Sequence, residues 1–397
     1  MRANGLRELG APLLLISLGV LCGGAAAQPS APLPSADNLG FWSPTEQEFG
    51  YRSMERIFPT HAIHRGETVA PLPYDPAGEM PVGFEFEHRH FSLNDFMAID
   101  RASGVLIVQD GKVLAERYGL GRKPEDRWTS FSIAKSVTST LVGAAIQDGF
   151  IKSVRDPVTK YLPQLKGSAY DGVTIEELLT MSSGIQWNEH YDEPNSDFNQ
   201  YATELSPEFL KSMASRARAQ TPGEKFAYST WDATLTGAIV MAATGKPLSQ
   251  YLSEKIWAPF GMEQDAIWMS SHSGQDIGGI CFSATLRDYA RFAMFMLTDG
   301  VIAGKRVLPA GWVAEATRQH LATSFAPFGY GYYWWTRPAG VYQGIGIFGQ
   351  SLYVDPSRRL IIVVQSAWGT AGDLHNYALE NAFFDGVTHL IDARQRH

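Results

Sequence analysis

The sequence predicts an α/β fold in which one antiparallel sheet is flanked by helices and interrupted by an inserted, mainly helical region. Strand-like runs cluster near positions 104–118 and 330–364, and a long stretch with mostly helical periodicity lies between them. Strands from both ends of a chain can complete one antiparallel sheet around such an insertion. We therefore expect an α/β lobe over about 41–155 and 275–397, and a helical lobe over about 156–274.

The N-terminus has the features of an export signal. Basic residues precede an apolar run over 11–21, and three alanines end at position 27. The run is short and is interrupted by proline and glycine, which argues against a membrane span. We expect a cleaved signal over 1–27, a flexible tether over 28–40, and a periplasmic or secreted protein without a stable membrane anchor.

The composition excludes some partners and supports a large core. The formal net charge is −8, which argues against nucleic acid as a partner, and 45% of the residues are hydrophobic. Loss of the signal would leave Cys281 as the only cysteine, so no intramolecular disulfide could form. The sequence gives no indication of the oligomeric state.

One turn signal and one capping box anchor the prediction of local structure. Asp110-Gly111 joins two β-rich runs, 104–109 and 112–118, as in a hairpin. Thr174, followed by a glutamate three residues later, is typical of a helix N-terminus. The other predicted elements are an irregular aromatic arm over 41–89, strands over 330–336, 351–354 and 360–364, and a closing helix over 373–391.

Ser132 and Lys135 form an S-x-x-K motif near the start of a long apolar helical stretch. A lysine one turn after a serine lies on the same helix face and can act as the base that activates the hydroxyl. About one such motif is expected by chance in a chain of this length. A capping serine followed by a solvated lysine is the alternative interpretation, so the motif needs support from elsewhere in the chain.

Two further motifs supply that support. Tyr228 begins the tripeptide Tyr228-Ser229-Thr230 after a turn-rich stretch, and a loop tyrosine can exchange protons with a serine and a lysine. The segment 344–350 contains three glycines and leads into a strand, so its backbone could approach a substrate closely. An N–H group at that edge could then pair with the N–H of Ser132 as an oxyanion hole.

Together these motifs resemble the serine β-lactamase and penicillin-binding superfamily, in its class C and carboxylesterase branch. The signature of that superfamily is S-x-x-K, a Tyr-x-Asn-type triad and a Lys-Thr-Gly-type strand, in this order. Segments 178–184 and 279–291 also resemble family stretches. The aromatic arm and the Gly-Gln ending are closer to the nylon-oligomer, or 6-aminohexanoate-dimer, hydrolases. The resemblance implies a β-lactamase-like fold from about Phe41 to the closing helix.

The resemblance also implies roles for individual residues. Ser132 would be the acylated nucleophile, and Lys135 and Tyr228 would form its proton-relay pair, with Tyr228 protonating the leaving group. Gly349 and Gln350 would form the substrate-binding edge, where the N–H of Gln350 joins that of Ser132 at the oxyanion. No cofactor is implied.

Departures from the superfamily pattern bear on the substrate. Thr230 stands where an asparagine is common, and Ile347-Phe348-Gly349 stands where Lys-Thr-Gly is usual. The missing cation removes a partner for a substrate carboxylate. We therefore expect a hydrolase whose substrate is a small ester or simple amide. The alternatives are a class C-type β-lactamase or DD-peptidase, and a sensor that traps its ligand without turnover.

Other polar and aromatic residues are weaker candidates. Tyr191 resembles the substrate-side tyrosine of the nylon-oligomer group, whereas Asp192 and Asp197 are more simply solvated loop carboxylates. The Trp334-Trp335 pair could line a pocket, although packing is the simpler interpretation. No Cys or HExxH pattern supports a metal site around the histidines, which are His61, His64, His88 and His90 among others.

Overall fold

The computed structural model describes residues 33–325 and 327–396. The predicted signal and the tether up to position 32 lie outside these residues. The end of the predicted tether is packed: Ala36–Phe41 forms a 3-10 helix, and the indole N–H of Trp42 donates to the backbone oxygen of Ser35 at 2.8 Å. The prediction of a flexible tether is therefore wrong for this last part.

The strands fall into one large sheet, one smaller sheet and two separate hairpins. In chain order they are β1 (Thr60–Ile63), β2 (Gly83–Phe86), β3 (Arg89–Ser92), β4 (Ala102–Gln109), β5 (Lys112–Tyr118), β6 (Trp128–Thr129), β7 (Ala266–Met269), β8 (Phe282–Ala284), β9 (Val301–Ile302), β10 (Lys305–Arg306), β11 (Leu321–Ala322), β12 (Gly329–Tyr330), β13 (Trp335–Thr336), β14 (Tyr342–Gly346), β15 (Gln350–Asp355) and β16 (Leu360–Ser366).

Most of the described helices are short, and four of them have 12 residues or more. In chain order they are α1 (Pro44–Gly50), α2 (Met54–Ile57), α3 (Leu93–Ile99), α4 (Ile133–Gln147), α5 (Val158–Tyr161), α6 (Ile175–Leu179), α7 (Asp197–Tyr201), α8 (Pro207–Ala214), α9 (Thr230–Thr244), α10 (Leu248–Leu252), α11 (Ala258–Phe260), α12 (Leu286–Leu297), α13 (Trp312–Thr317) and α14 (Leu374–Arg394). Of the helices that the structure describes, none has both the length and the apolar character needed to cross a membrane.

The large sheet is antiparallel and is built from both ends of the chain. Its strand order is β11-β12-β13-β14-β15-β16-β4-β5. The late strand β16 pairs with the early strand β4, from Leu360 opposite Gln109 to Ser366 opposite Ala102. This pairing confirms the predicted α/β fold, in which an antiparallel sheet is completed by two chain segments around a helical insertion.

Alternation along the central strands divides the core into two layers. Leu106 and Val108 of β4 face the side that carries α4 and α12, whereas Val105 and Ile107 face α3 and α14. On the second side, the rings of Phe96 and Phe383 stack with their centroids 4.1 Å apart. The central strands are therefore buried on both faces and form the middle layer of three.

The N-terminal arm is more regular than its sequence suggests. Its strand β1 pairs with β7, which extends the four-stranded sheet β1-β7-β8-β6. Strand β6 of that sheet leads directly into the segment that precedes α4. The arm thus supports the sheet from which the S-x-x-K motif emerges.

The predicted β-structure over 330–336 is present at its two ends and not as one continuous strand. The segment 330–336 is divided into β12 and β13, which pair with each other as a hairpin. Tyr333 between them has a φ of 59°, and its N–H donates to the backbone oxygen of Leu179 at 3.0 Å. This tertiary hydrogen bond interrupts the strand, which no local pattern revealed. The predicted hairpin at Asp110-Gly111, the capping box at Thr174 and the closing helix are present.

Candidate active site

Ser132 occupies the N-cap position of α4, immediately after a tight turn. Its side chain makes no capping hydrogen bond to the helix, which leaves the hydroxyl for other partners. Phe131 before it has a φ of 43°, in the left-handed region where a non-glycine residue is strained. The ring of Phe131 packs against those of Tyr51 and Phe348, with centroids 5.1 and 5.2 Å away. Aromatic packing therefore holds the strained turn that presents the serine.

Lys135, one helical turn later, points at this hydroxyl. Its Nζ lies 2.9 Å from Ser132 Oγ, 3.0 Å from Thr230 Oγ1 and 2.7 Å from the backbone oxygen of Gly279. Only 1% of the lysine is exposed. Burial lowers the pKa of Lys135 to about 8, against the opposing effect of the Glu189 carboxylate. The ammonium of Lys135 is therefore a much stronger acid than that of a surface lysine and can lose its proton near neutral pH.

Tyr228 lies beside the same lysine, just before α9. Lys135 Nζ is 5.0 Å from the centroid of the Tyr228 ring. Burial and the nearby charge of Glu189 raise the pKa of Tyr228, whereas a hydrogen bond with Ser132 acts in the opposite direction. The phenol is consequently protonated at neutral pH and can give a proton to a leaving group. The structure thus brings Ser132, Lys135 and Tyr228 together.

Glu189 is a component of this site that the sequence reasoning missed. Its Oε1 accepts a hydrogen bond from Thr230 Oγ1 at 2.5 Å, and its Oε2 accepts one from the N–H of Thr230 at 2.8 Å. The indole N–H of Trp187 also donates to Oε2. Burial raises the pKa of Glu189, and the charge of Lys135 counteracts this effect. A glutamate in a loop gives no signal in the sequence, because most loop carboxylates are solvated.

Tyr191 reaches the site through Glu189. Its hydroxyl donates to Glu189 Oε1 at 3.2 Å, and its ring meets that of Phe198 edge-on at 4.8 Å. Burial and Glu189 raise the pKa of Tyr191 well above its ordinary value. The structure therefore places Tyr191 beside Glu189, at the edge of the candidate site.

A free edge of β14 passes the start of α4. A Cβ built on Gly346 would lie 3.1 Å from the Ser132 nitrogen and 2.3 Å from the Ser130 oxygen. Successive residues of a strand direct their N–H and C=O groups to opposite neighbouring strands. The Val341 oxygen accepts from the Arg337 N–H at 2.8 Å, so the backbone groups of Val341 face the β13 side. The same alternation directs the N–H of Ile345 to the β13 side.

Strand β13 stops short of this position. Its last pair with β14 joins Trp335 to Gln343, and no described strand pairs with Ile345 on that side. The N–H of Ile345 and that of Ser132, at the unpaired N-terminus of a helix, are therefore the backbone donors available beside the Ser132 hydroxyl.

The structure does not bring Gln350 to this edge as predicted. Gln350 pairs with Gly346 across the β14–β15 hairpin, so its N–H points into the ladder. Its side chain is fully buried, accepting from the Trp128 indole at 3.1 Å and donating to backbone oxygens that include that of Ser366 at 2.8 Å. Gly349 lies in the hairpin turn against Trp368, with a φ of 82°. Both residues shape the turn, and the N–H of Ile345 takes the place predicted for that of Gln350.

The assignment of Ile347-Phe348-Gly349 to the Lys-Thr-Gly strand is also shifted. These residues form the hairpin turn, and Ile347 is buried in the core. The strand beside Ser132 is Gly344-Ile345-Gly346. Because none of these three residues carries a charge, the inference that this strand lacks a cation for a substrate carboxylate is unchanged.

Of the weaker candidates from the sequence, Trp335 is the one found in contact with Tyr228 among the described residues. Trp334 is fully buried, whereas Trp335 is half-buried and stacks on the ring of Tyr228 with centroids 5.8 Å apart. Asp197 is held by Arg216 in a two-point ion pair, at 2.7 and 3.0 Å, and Asp192 is exposed. Most of the histidines considered form pairs with single carboxylates away from Ser132, namely His61 with Asp276, His64 with Asp265 and His90 with Glu85.

One acidic group elsewhere has the spacing of a metal site. The ligand atoms of Glu176, Glu315 and His320 lie within 4.8 Å of one another. Their carboxylates already have partners, since Tyr332 donates to Glu176 at 2.7 Å and Arg318 donates to Glu315 at 2.6 Å. The group is therefore explained by hydrogen bonds and an ion pair.

A buried Ser-x-x-Lys pair with a neighbouring tyrosine, at the border of an antiparallel sheet and a helical insertion, defines a hydrolase with a β-lactamase-like fold. A family model described as "Beta-lactamase" matches residues 94–383. The chain belongs to the β-lactamase family, which confirms the resemblance, the fold and the assignment as an enzyme.

Individual relatives extend this similarity over almost the whole chain. A 6-aminohexanoate-dimer hydrolase of Paenarthrobacter ureafaciens is 28% identical over 391 residues, covering 94% of this chain and 96% of the relative. Among solved structures, a candidate 6-aminohexanoate-dimer hydrolase from Bacillus anthracis has a TM-score of 0.77 at 22% identity, covering 90% of this chain and 99% of its own. EstCE1, a hydrolase with promiscuous acyltransferase activity, has a TM-score of 0.58 at 18% identity, covering 73% and 95%.

Proposed function

We propose that this protein is an exported serine hydrolase that cleaves small esters or simple amides through an acyl-enzyme on Ser132. The observation that carries the proposal is the contact of Lys135 Nζ with Ser132 Oγ at 2.9 Å inside a buried site. A lysine that is desolvated and placed at this distance can remove the hydroxyl proton during attack. The family membership is consistent with this role.

The reaction follows from the donors around the serine. Ser132 Oγ attacks the carbonyl carbon while its proton passes to Lys135. The N–H groups of Ser132 and Ile345 stabilise the oxyanion, and collapse of the tetrahedral intermediate breaks the bond to the alcohol or amine, which takes a proton from Tyr228. Tyr228 recovers its proton from Lys135. Water then attacks the ester of Ser132, with the same pair acting in reverse, and releases the acid.

Steady-state hydrolysis of a short-chain p-nitrophenyl ester tests the nucleophile. We expect Ser132→Ala to lose at least about 10³-fold in kcat/KM, and Lys135→Ala about 10²- to 10⁴-fold. Ser139→Ala is the matched control, because Ser139 is a buried serine on the same helix and its hydroxyl has no hydrogen-bond partner among the described residues. The control should retain the wild-type rate. Full activity of Ser132→Ala would overturn the proposal.

The kinetics of product release separate an enzyme from a covalent trap. A burst of one equivalent followed by continued turnover indicates an acyl-enzyme that is hydrolysed. A burst without turnover would instead support a ligand-trapping sensor. The linear dimer of 6-aminohexanoate, named by the similarity to the Paenarthrobacter enzyme, is the amide to compare with the ester series.

Export is a separate part of the proposal and rests on the sequence of residues 1–27. Expression of the full chain in a Gram-negative host, followed by N-terminal sequencing of the periplasmic fraction, tests it. We expect the exported protein to begin at Gln28. A cytoplasmic protein that retains its first residues would contradict export.

A further inference from the structure

The Thr230 hydroxyl connects the two buried charges of the site. Its Oγ1 accepts a hydrogen bond from Lys135 Nζ at 3.0 Å and donates its own proton to Glu189 Oε1 at 2.5 Å. Thr230 is fully buried at the first residue of α9. A hydroxyl with one accepted and one donated hydrogen bond can pass a proton along this line.

The hydrogen bonds of Lys135 create a requirement for such a path. Its Nζ has three acceptors, Ser132 Oγ, Thr230 Oγ1 and the Gly279 oxygen, which matches the three donors of an ammonium group. An ammonium cannot accept the proton of Ser132. The carbonyl of Gly279 is not a base, so only the Thr230 contact leads from the ammonium to a carboxylate.

We propose that Thr230 relays a proton from the Lys135 ammonium to the Glu189 carboxylate, and that this step produces the free amine that accepts the Ser132 proton. One proton leaves Nζ for Oγ1 while the proton of Oγ1 moves to Oε1, so an ammonium and a carboxylate become an amine and a carboxylic acid. The amine then takes the Ser132 proton as Oγ bonds to the substrate carbon. The inference rests on the proposed function.

Burial favours this exchange. Both side chains pay a desolvation cost as ions, and a neutral pair avoids it. The pKa values move toward each other accordingly: burial lowers that of Lys135 to about 8 and raises that of Glu189. The second oxygen of Glu189 is held by the Thr230 N–H and the Trp187 indole, which keeps Oε1 directed at the hydroxyl.

Burial favours the neutral form of the other titratable groups around the pair. Burial raises the pKa of Cys281, which faces Lys135, to about 12 and that of Asp232 on α9 to about 8. Burial also raises the pKa values of the tyrosines that face Glu189, which are Tyr191, Tyr228 and Tyr330. Asp232 therefore titrates within the same pH range in wild type and in the Thr230 variants, and the ratio of their rates at each pH isolates the exchange between Lys135 and Glu189.

The pH profile of acylation tests the relay. Pre-steady-state bursts with the p-nitrophenyl ester are measured from pH 6 to pH 10 for wild type, Thr230→Val and Thr230→Ser. Valine removes the path but keeps the Glu189 charge, so we expect a loss of about tenfold at pH 7 that disappears above about pH 9, where Lys135 loses its proton to solvent. Serine restores the hydroxyl and should stay within about threefold of wild type at every pH.

The outcomes separate a relay from a packing role. An equal loss for Thr230→Val at all pH values, or no loss at pH 7, overturns the relay. If the relay operates, the double variant Thr230→Val/Glu189→Gln acylates at pH 7 no more slowly than Thr230→Val alone. If the two residues act independently, their losses in acylation rate add. If Thr230→Val does not fold, a proton inventory of wild-type acylation decides, in which the acylation rate is plotted against the fraction of D₂O. A curved plot supports the movement of two protons, and a straight plot contradicts it. Retained hydrolysis by Ser132→Ala would instead refute the proposed function.

Discussion

The indole of Trp335 stacks on the phenol of Tyr228, with ring centroids 5.8 Å apart and planes inclined by 19°. Other rings surround the indole edge-on, including those of Tyr330 at 5.0 Å and Phe325 at 6.0 Å. Phe325 is 55% exposed, so this group of rings runs from solvent to the phenol of Tyr228. The stack fixes the plane of Tyr228 and gives this side of the site an apolar surface.

Removal of this stack should reduce turnover more than binding. An aromatic pair contributes about 0.5–1.5 kcal/mol beyond its buried area, so we expect Trp335→Ala to lower kcat for the p-nitrophenyl ester by about tenfold. Trp335→Phe keeps a ring against Tyr228 and should remain within about threefold of wild type. Unchanged kcat for Trp335→Ala would show that Tyr228 is oriented without it.

The close approach of β14 to α4 predicts a strict requirement for glycine at position 346. A Cβ there would come within 2.3 Å of the Ser130 oxygen, which forces the strand away from Ser132 and displaces the N–H of Ile345. We expect Gly346→Ala to lose about 10²-fold in kcat or more, as for loss of an oxyanion donor.

Two other glycines calibrate this effect. Gly344→Ala would place its Cβ 3.2 Å from Ile133 and Ser136, so a smaller loss is expected. Gly369→Ala would meet no atom within 4 Å and should be silent. Equal activities of the three variants, measured on the same ester, would contradict the assignment of the oxyanion edge.

Local sequence patterns were sufficient for the parts of the fold that local interactions determine. The Asp-Gly turn, the capping box at Thr174 and the closing helix all depend on residues within a few positions of one another, and all are present. Ser132 and Lys135 are three residues apart on a helix, and their contact followed from that spacing alone.

Contacts between distant segments could not be predicted in the same way. Glu189 becomes part of the site because Thr230, 41 positions later, donates to both of its oxygens. The break in the predicted strand at Tyr333 depends on a hydrogen bond to Leu179, and the register of the β14–β15 hairpin moved the expected donor from Gln350 to Ile345. Each of these depends on the packing of the whole domain.

The uncharged strand beside the nucleophile predicts poor activity on β-lactams. Gly344, Ile345 and Gly346 offer no cation to the carboxylate that these antibiotics carry. We expect kcat/KM for a chromogenic cephalosporin to be at least about 10²-fold below that for the p-nitrophenyl ester, since an unpaired charge at a binding site costs about 2–5 kcal/mol. Rapid hydrolysis of the cephalosporin by wild type, abolished in Ser132→Ala, would refute the substrate class.

Glu380 predicts that the protein loses stability as the pH rises. The side chain is 3% exposed on α14, its Oε2 accepts from Ser351 at 3.1 Å, and its Oε1 has no hydrogen-bond partner among the described residues. Burial raises the pKa of Glu380 to about 8 from an ordinary value of 4.5, and burial together with the charge of Glu380 also raises the pKa of Asp100, so the two carboxyls titrate as a pair. The folded state therefore binds more protons than the unfolded state between these values, and the stabilisation present below pH 4.5 is lost as the pH rises through 8. Glu380→Gln removes the titration of Glu380 and its repulsion of Asp100. Its free energy of unfolding, measured with urea, should therefore match wild type near pH 5 and exceed it at pH 9, by up to a few kcal/mol at about 1.4 kcal/mol per unit of pKa. Asp385→Asn, an exposed substitution on the same helix, should leave the wild-type slope unchanged, and a Glu380→Gln protein with that same slope would show that Glu380 does not titrate in this range.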